Sequence, residues 1–215
     1  MKISYGITVH NEAEELHKLL DILNLYIDSE DEIVVCVDGD DEKVEAVLGE
    51  SLDSWQNYIV YNRKLDGNFS DQKNSVIEKS SGDYIFHIDA DEYPNEILIQ
   101  QLKQILEIND VDLIWIPRVN TVEGMTYHHI QKWGWRVNEN NWVNYPDYQA
   151  RVFRRDSEIR WTRPLHEHIV GCKTYSHLPP HEELSLYHPK TIEKQEKQNM
   201  FYNQNFSKEM NVRKA

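Results

Sequence analysis

The chain has 215 residues, of which 40% are hydrophobic and 11% aromatic, a composition that excludes disordered and fibrous proteins. That length fits one domain, or one domain with a small appendage. The formal net charge of −14 repels phosphate backbones, so bulk nucleic-acid binding is not expected. Such a field would, however, suit a site that recruits a divalent cation.

The two cysteines, Cys36 and Cys172, lack CxxC spacing and support neither a disulfide framework nor a zinc knuckle. Cys36 lies within the apolar run Ile33–Val37 and is expected in the core. No apolar run approaches about 18 residues, so no membrane span is predicted, and no signal peptide is predicted either. A reducing cytoplasm is the expected compartment.

Residues 1–116 are predicted to alternate strands with helices. The predicted strands are Lys2–Val9, Ile33–Val37, Tyr58–Tyr61, Tyr84–Ile88 and Val111–Ile116. The first helix follows Asn11, a candidate N-cap, and places the residues from Leu16 to Ile27 at helical spacing. The later helices are Glu42–Leu48, Ser70–Ser80 and Asn95–Ile108, the last opened by Pro94. Short apolar strands between helices are typical of the α/β class, with a mostly parallel sheet covered on both faces.

The second half has a different composition. Residues 117–190 are rich in Trp, Tyr, His and Asn, and Gln149–Phe153 is a predicted strand. Residues 191–215 are predicted to form a polar C-terminal helix, reaching to about residue 209, and a tail. From Lys190 to Ala215 six basic residues face three acidic ones. Ordinary solvation explains this excess, and peripheral contact with an anionic inner membrane face is the alternative.

Three predicted strands end in acids or amides. The groups are Asn11 with Glu12, then Asp38 with Asp40 and Asp41, then Asp89 with Asp91 and Glu92. Turn chemistry alone places some Asp and Asn at such ends. Because ligands of an open parallel sheet bind beyond the carboxyl ends of its strands, three such groups predict one functional cleft.

The strongest local signal is the pair Asp89 and Asp91 at the end of the fourth strand. Carboxylates two residues apart on an extended chain point the same way and repel each other when unpaired. Mg²⁺ or Mn²⁺ would relieve that repulsion and would share its oxygen ligands with phosphates. Such a metal stabilises the charge that builds on a departing nucleoside diphosphate.

These segments together resemble a family 2 glycosyltransferase of the GT-A fold, in particular the small bacterial enzymes of lipopolysaccharide-core and polysaccharide synthesis. The segments that carry the resemblance are Thr8–Glu12, Val37–Asp40, Gly67–Asn74, Ser81–Tyr84, Asp89–Glu92, Gln149–Arg155 and Leu165–Glu167. The resemblance implies a metal-dependent enzyme that moves a sugar from a nucleotide-diphosphate donor. It also implies a nucleotide-sugar-binding half over 1–116, an acceptor-binding and catalytic half over 117–190, and a C-terminal helix and tail.

The resemblance implies roles for residues around the nucleotide. Those implied to line its pocket at the end of the first strand are Thr8, His10, Asn11 and Glu12. Asp38 would accept a hydrogen bond from the base, which favours a pyrimidine and therefore a UDP-linked donor. Lys73 stands where the family usually has Arg, near the base and phosphates, but it lacks the bidentate fork of Arg.

The resemblance also implies the phosphate and metal ligands. Asp89 and Ala90 would face the ribose, Arg151 would touch phosphates, and Asp89 with Asp91 would bind Mn²⁺ or Mg²⁺. His188 is implied either to close over the diphosphate or to be a further metal ligand. A single histidine that is only hydrogen-bonded within the structure is the alternative.

Inversion by direct displacement, also implied, needs one general base near the acceptor hydroxyl. Glu167 lies where the family places its base, and Asp147 is the second candidate. Alternatively, Glu167 merely pairs with Arg163 or Arg160.

An acceptor site is predicted in the second half, because aromatic faces stack on sugars and amides bind hydroxyls. Its aromatic candidates are Trp133, Trp135, Trp142, Tyr145 and Tyr148, which would otherwise form core. The resemblance favours a glycan or lipid-linked saccharide as acceptor, with a protein or a modified nucleobase as alternatives.

Other classes of protein share single features of this sequence. A phosphohydrolase with an aspartyl nucleophile also presents two such aspartates, but on the first strand of its fold. A nucleotidyltransferase would need a glycine-rich loop where His10 to Ala13 stand. A zinc hydrolase would need an HExxH motif, which the sequence lacks. A non-catalytic sugar-binding module is the last alternative.

Overall fold

The structure is a computed structural model that describes residues 1–52 and 57–207. Its strands are β1 (Ile3–Val9), β2 (Glu32–Val37), β3 (Tyr58–Asn62), β4 (Tyr84–Asp89), β5 (Tyr93–Pro94), β6 (Leu113–Ile116), β7 (Arg118–Glu123), β8 (Gln149–Arg154), β9 (Arg160–Thr162), β10 (His168–Val170), β11 (Tyr175–His177) and β12 (Leu186–Thr191). Its helices are α1 (Ala13–Tyr26), α2 (Glu42–Leu52), α3 (Phe69–Lys79), α4 (Glu96–Asn109), α5 (Tyr127–Trp133) and α6 (Ile192–Asn205).

The main sheet has seven strands in the order β11-β6-β8-β4-β1-β2-β3. All of its neighbouring pairs are parallel except the two that involve β8. The predicted α/β class with a mostly parallel sheet is therefore confirmed. Two strands from the second half, β8 and β11, complete this sheet. A three-stranded sheet of β5, β12 and β7 and a two-stranded sheet of β9 and β10 lie beside it.

The core forms where apolar strands meet the apolar faces of the helices. All six residues of β2 are buried, as expected for a strand covered on both faces. The predicted spacing in α1 is confirmed, because Leu16, Leu19, Leu20 and Leu23 are buried. Burial of each such side chain contributes about 1.5–3 kcal/mol. Cys36 is buried, as predicted.

Helix α3 lies close against β1 because the strand has a glycine at the point of contact. A Cβ on Gly6 would clash with the side chain of Val76 in α3. At its start, Asn68 caps α3 by accepting a hydrogen bond from the backbone N–H of Asp71. This packing fixes the position of Lys73, one helical turn before Val76, relative to the end of β1.

Two predicted helix starts are wrong. Asn11 is not the N-cap of α1: Glu12 occupies that position, and its carboxylate accepts hydrogen bonds from the backbone N–H groups of His10 and Asn11. Pro94 does not open α4, because it pairs with Leu186 as part of β5. Asn95 caps α4 instead by accepting from the backbone N–H of Ile97.

The polar C-terminal helix is confirmed as α6, in which Ile192 is buried. Its predicted end near residue 209, and residues 208–215 of the tail proposed for membrane contact, lie outside the described residues. Across the described ranges, every helix is too short or too polar to cross a membrane.

Candidate functional site

The ends of β1, β2 and β4 lie side by side at one edge of the main sheet, as the acidic strand ends predicted. Thr8 is paired in register with Asp89 and Val9 with Val37. The Thr8 hydroxyl donates to Oδ1 of Asp89 at 3.5 Å. His10 Nδ1 lies 2.7 Å from the backbone oxygen of Asp38. The residues predicted to line a nucleotide pocket thus meet at this edge.

Several polar groups at this edge serve the backbone. Asp41 accepts from the backbone N–H groups of Lys43 and Val44 and so stabilises the start of α2. The Asp38 carboxylate accepts from the backbone N–H of Leu65 at 2.9 Å. Ala90 is buried, and its N–H donates to the backbone oxygen of Thr8. Turn chemistry therefore accounts for part of the acidic pattern.

The Asp89 carboxylate is held by three cationic or ring-nitrogen partners. Arg151 Nη2 donates to Oδ2 at 2.5 Å, and Lys73 Nζ lies 3.3 Å from Oδ1. His87 Nε2 lies 3.5 Å from Oδ1. Burial alone would raise the pKa of Asp89, but Arg151 and Lys73 hold it well below its usual range. The two carboxylates Asp89 and Asp91 are not unpaired in the structure, since each has its own cationic partners.

The Asp91 carboxylate faces a different set of groups. Its Oδ2 lies 3.4 Å from His188 Nε2, 3.5 Å from Lys194 Nζ and 3.9 Å from Lys190 Nζ. Burial would raise the pKa of Asp91, but the contact with His188 and the two ammonium groups lower it. Asp91 is therefore ionised and retains 16% side-chain exposure.

The hydrogen bonds of His188 fix the orientation of its ring. Asn120 donates its amide N–H to Asp147 at 3.0 Å, so its oxygen faces Nδ1 of His188 at 2.8 Å. Nδ1 must then donate to that oxygen. Nε2 faces Oδ2 of Asp91 at 3.4 Å, within hydrogen-bond distance. Burial, and next the charge of Arg118, lower the pKa of His188, and loss of the Nε2 proton would leave that nitrogen able to ligate a cation.

This Asp91–His188 pair fits a divalent cation as half of a site. The ring nitrogen that faces Asp91 has that carboxylate as its hydrogen-bond partner, which a cation would replace, and the other nitrogen is fixed by Asn120, an arrangement typical of metal-bound histidine. Asp89, in contrast, has its oxygens engaged by Arg151 and Lys73. Among the described residues no group of three or more His, Cys, Asp or Glu could hold a metal alone. Phosphates of a substrate would have to complete the coordination, as is usual for Mg²⁺.

A buried network behind Asp91 was not predicted from the sequence. Arg118 donates through Nη1 to Glu92 at 2.6 Å and through Nη2 to Asp147 at 2.6 Å. Arg151 joins it by donating to Glu92 at 2.7 Å. Asp147, the second candidate base, is therefore tied to Arg118 and Asn120. Arg118, at the start of β7, belongs to no recognised motif. Its position directly after the apolar strand β6 is the one sequence signal for a role at the site.

Glu167, the preferred base, is paired with Lys73. Nζ of Lys73 lies 2.6 Å from Oε1 of Glu167 and 4.8 Å from the ring centroid of Trp161. Burial would raise the pKa of Glu167, but Lys73 lowers it. The alternative pairing with Arg160 or Arg163 is wrong. Lys73 is buried and contacts both Glu167 and Asp89. The residue predicted to bind the nucleotide therefore also links the candidate base to Asp89.

The aromatic segment of the second half packs in pairs at the surface. The ring centroids of Trp133 and Trp135 are 4.7 Å apart, and those of Trp142 and Tyr145 are 4.8 Å apart. All four side chains are half-buried, as is that of Tyr148, so their assignment to the core is wrong. Val143, next to Trp142, forms a β-bridge with Asn120. The segment is thereby joined to the residue that orients His188.

Two lysines near Asp91 were also missed. Lys190 follows His188 by two residues on β12, so both side chains lie on one face of the strand. Lys194 belongs to the first turn of α6, where a basic residue opposes the helix dipole. The strand spacing and the unfavourable helix position are signals that could have identified both.

A mostly parallel sheet of this topology, with carboxylates, a histidine and lysines at the carboxyl ends of its strands, defines a protein of the GT-A fold. The sequence matches the family described as glycosyl transferase family 2 over residues 4–178. The chain therefore belongs to glycosyl transferase family 2, and the predicted resemblance is confirmed.

Named relatives agree with this assignment. The SPbeta prophage-derived glycosyltransferase SunS of Bacillus subtilis is 24% identical over 193 residues, which cover 86% of this chain and 39% of SunS. A poly(ribitol-phosphate) beta-glucosyltransferase of Bacillus spizizenii is 30% identical over 98 residues, 43% of this chain and 15% of that protein. The chain thus spans well under half the length of these relatives.

Among solved structures, TarS of S. aureus in complex with UDP-GlcNAc has a TM-score of 0.64 and 16% identity. The match covers 88% of this chain and 59% of TarS. TarS in complex with UDP has a TM-score of 0.63 and 15% identity. At this identity the likeness demonstrates the shared fold alone.

Proposed function

We propose that the chain transfers a sugar from a UDP-linked donor to a hydroxyl of a glycan or lipid-linked saccharide, with inversion and with Mn²⁺ or Mg²⁺ as cofactor. The observation that carries this proposal is the Asp91–His188 pair at the carboxyl edge of the sheet. Its carboxylate oxygen and ring nitrogen lie 3.4 Å apart and face the same space. A metal bound there would share phosphate oxygens and neutralise charge on the diphosphate.

The donor assignment rests on the family and on the nucleotide edge of the sheet. TarS structures in complex with UDP-GlcNAc and with UDP support a UDP-linked donor. In this chain Thr8, His10 and Asp38 lie at the strand ends where we place the nucleoside. Arg151 and Lys73 hold the Asp89 carboxylate in place at the same strand ends, so we propose that Asp89 does not bind the metal directly.

Glu167 is proposed as the general base. Lys73 binds its Oε1, so we assign Oε2 as the oxygen that takes the proton of the acceptor hydroxyl. Because Lys73 also contacts Asp89, it holds the base at a fixed distance from the donor side. Asp147 is less suited, since Arg118 and Asn120 already donate to it.

The acceptor is proposed to lie against the aromatic segment around Trp142. Paired, half-buried rings joined to Asn120 offer apolar faces beside the reacting edge. The relative named as a poly(ribitol-phosphate) beta-glucosyltransferase supports a polymeric acceptor. The transferred sugar would be identified by the sugar nucleotide that stabilises the chain most.

Thermal unfolding with a panel of sugar nucleotides, with and without MnCl₂, tests this proposal. We expect UDP-linked sugars to raise the melting temperature of the chain more with manganese than without it, because ligand that binds only the folded state stabilises by mass action. The matched control is the Asp91→Asn variant, which should lose the manganese-dependent part. No stabilisation by any sugar nucleotide, together with hydrolysis of a simple phosphate ester, would instead favour a phosphohydrolase.

A further inference from the structure

We propose that Lys190 and Lys194 form a diphosphate-binding pair that takes up the negative charge of the departing nucleotide. This inference rests on the proposed function, because the ligand is the diphosphate of the donor. Neither residue belongs to a segment that carries the family resemblance. Both are brought to the donor edge by the turn between β12 and α6.

The local structure aims both side chains at one oxygen. Lys190 shares a face of β12 with His188, and Thr191 ends the strand by capping α6 with its side chain. The Thr191 hydroxyl accepts from the backbone N–H of Lys194 at 3.2 Å, and the side chain of Lys194 lies over Asp91. The two ammonium groups then lie 3.9 Å and 3.5 Å from Asp91 Oδ2.

The other cations of the site have closer carboxylate partners than these two lysines have at Asp91. Each of three cations bridges two carboxylates of the site: Lys73 joins Asp89 and Glu167, Arg118 joins Glu92 and Asp147, and Arg151 joins Asp89 and Glu92. Lys190 and Lys194 instead meet at one carboxylate of the site, Asp91, at longer distances, and Lys194 also reaches Glu15 of α1. Their contacts with Asp91 are therefore the ones that a ligand can most readily replace.

A cation bound at Asp91 would drive that transfer. Positive charge on the shared oxygen repels both ammonium groups, and phosphate oxygens that complete the coordination would lie next to them. Gln198 would continue to hold Lys190, and Glu15 would continue to hold Lys194, at their present distances of 2.8 Å and 2.9 Å. The lysines thus need only a small movement to exchange a carboxylate for a phosphate.

The placement of Lys194 goes against local helix preference. A basic residue in the first turn opposes the positive end of the helix dipole, so the position disfavours lysine unless it has another role. Its side chain is 33% exposed, and its ammonium group reaches both Glu15 and Asp91. An anionic ligand at this point would satisfy both the lysine and the helix terminus.

The chemistry of transfer gives the pair its role. The bond between the sugar carbon C1 and the β-phosphate oxygen breaks, and both electrons leave on that oxygen. The acceptor hydroxyl oxygen bonds to C1, and its proton passes to Glu167. The free nucleotide therefore carries one more negative charge than the same group in the donor, and two lysines beside it would stabilise that charge.

Binding of UDP and of uridine to matched variants tests the inference. The variants are Lys190→Met and Lys194→Met, with Lys197→Met as control because Lys197 is an exposed lysine of the same helix. In MnCl₂ we expect each test variant to bind UDP about 10- to 100-fold more weakly, the loss expected for a hydrogen bond to a charged group. The control should bind UDP as the unmodified chain does, and Lys194→Arg should restore most of the affinity.

Uridine separates a lost phosphate contact from a weakened fold, since it lacks phosphates but uses the same nucleoside pocket. The expected result is unchanged uridine affinity in all variants. Unchanged UDP affinity, or an equal loss for uridine and UDP, would overturn the inference. If the unmodified chain fails to bind UDP, the proposed function fails instead, so the two failures are distinguishable.

Discussion

Two groups of buried or half-buried acids lie at opposite ends of the strands of the main sheet, and they are held in different ways. The amino-edge group is Asp31 and Glu32, at the start of β2. The carboxyl-edge group is Asp89, Asp91 and Glu92, at and after the end of β4. Glu32 and Glu92 are both nearly inaccessible to solvent, so burial alone does not distinguish the two groups.

The amino-edge group is stabilised by short contacts, most of them from neutral donors. Glu32 accepts from Ser4 and from Ser81 at 2.6 Å each, and Lys2 Nζ lies 2.6 Å away. Asp31 accepts from the backbone N–H of Ile3 at 2.8 Å and pairs with Lys103 Nζ at 2.9 Å. Backbone and serine donors, together with one lysine for each acid, hold this group in one arrangement.

The carboxyl-edge group is held by long cationic side chains, and some of its neighbours lack partners. Among the described residues, Nδ1 of buried His87, Nε of Arg151 and the indole N–H of Trp161 have no hydrogen bond, and His87 Nε2 has only its 3.5 Å contact with Asp89. Such groups cost stability, and they are expected where a protein is built to bind a ligand. The comparison indicates that the functional edge is distinguished by partners that a ligand can replace, and not by the presence of acidic residues.

The largest expected effect comes from removing the base. Glu167→Gln should lower the rate of sugar transfer by about 10²- to 10⁴-fold, because it removes proton transfer from the acceptor hydroxyl. UDP affinity should change little. Single-turnover kinetics and UDP titration measure the two quantities. Glu158→Gln, at an exposed position, is the control, and loss of UDP binding in Glu167→Gln would assign the residue to the donor site.

Asp91→Asn should come next. Loss of one metal ligand should reduce transfer by about 10³-fold, since metal stabilisation of the leaving group is worth several kcal/mol. The melting temperature without ligand should fall as well, because the contacts with His188, Lys190 and Lys194 that lower the pKa of Asp91 also stabilise the folded chain. Asp21→Asn, on the surface of α1, should change neither quantity. Full activity in Asp91→Asn would contradict the metal assignment.

Glu32→Gln should affect stability and leave activity unchanged. Burial would raise the pKa of Glu32, but Lys2, Ser4 and Ser81 lower it to about 2. The variant should lose about 2 kcal/mol of unfolding free energy at pH 7, the worth of a hydrogen bond to a charged group. A depressed pKa in the folded state means that this contribution is complete above the unfolded value, near 4.5, and disappears as pH falls to about 2.

Denaturant titration at pH 7 and near pH 3 measures this difference, which should shrink at the lower pH. An equal destabilisation at both pH values would show that the carboxylate charge is not what stabilises the amino edge. Reduced transfer at 25 °C would show that the two edges are coupled.

The smallest expected effect concerns the acceptor. Trp142→Ala should raise the acceptor KM by about 10-fold or less, in line with a stacking contribution of about 0.5–1.5 kcal/mol. The KM for the donor should not change. Tyr175→Ala, an exposed aromatic substitution on β11, is the control. An unchanged acceptor KM in Trp142→Ala would remove this segment from the site.

Periodicity and strand ends were enough to predict the α/β class, the alternation of elements and the gathering of Thr8, Asp38 and Asp89 at one edge. These properties follow from local patterns and from the geometry of parallel sheets. The ion pairs around them could not be predicted, because Arg118 and Arg151 reach the acids through pairings with residues far away in sequence; Arg151 was predicted only as a phosphate contact. The predicted starts of α1 and α4 were wrong for a local reason. Glu12 and Asn95 compete with their neighbours Asn11 and Pro94 for the N-terminal positions of these helices.

Strand β8 lies between β4 and β6 and carries Arg151 into the sheet from 62 positions beyond Asp89. During synthesis, a nascent chain that ended at residue 116 would leave β4 as an open edge, with Asp89 and Glu92 deprived of their shared counter-ion. The nucleotide-binding half is therefore not expected to mature ahead of the acceptor half. Insertion of β8 therefore couples completion of the fold to the appearance of the proposed donor site.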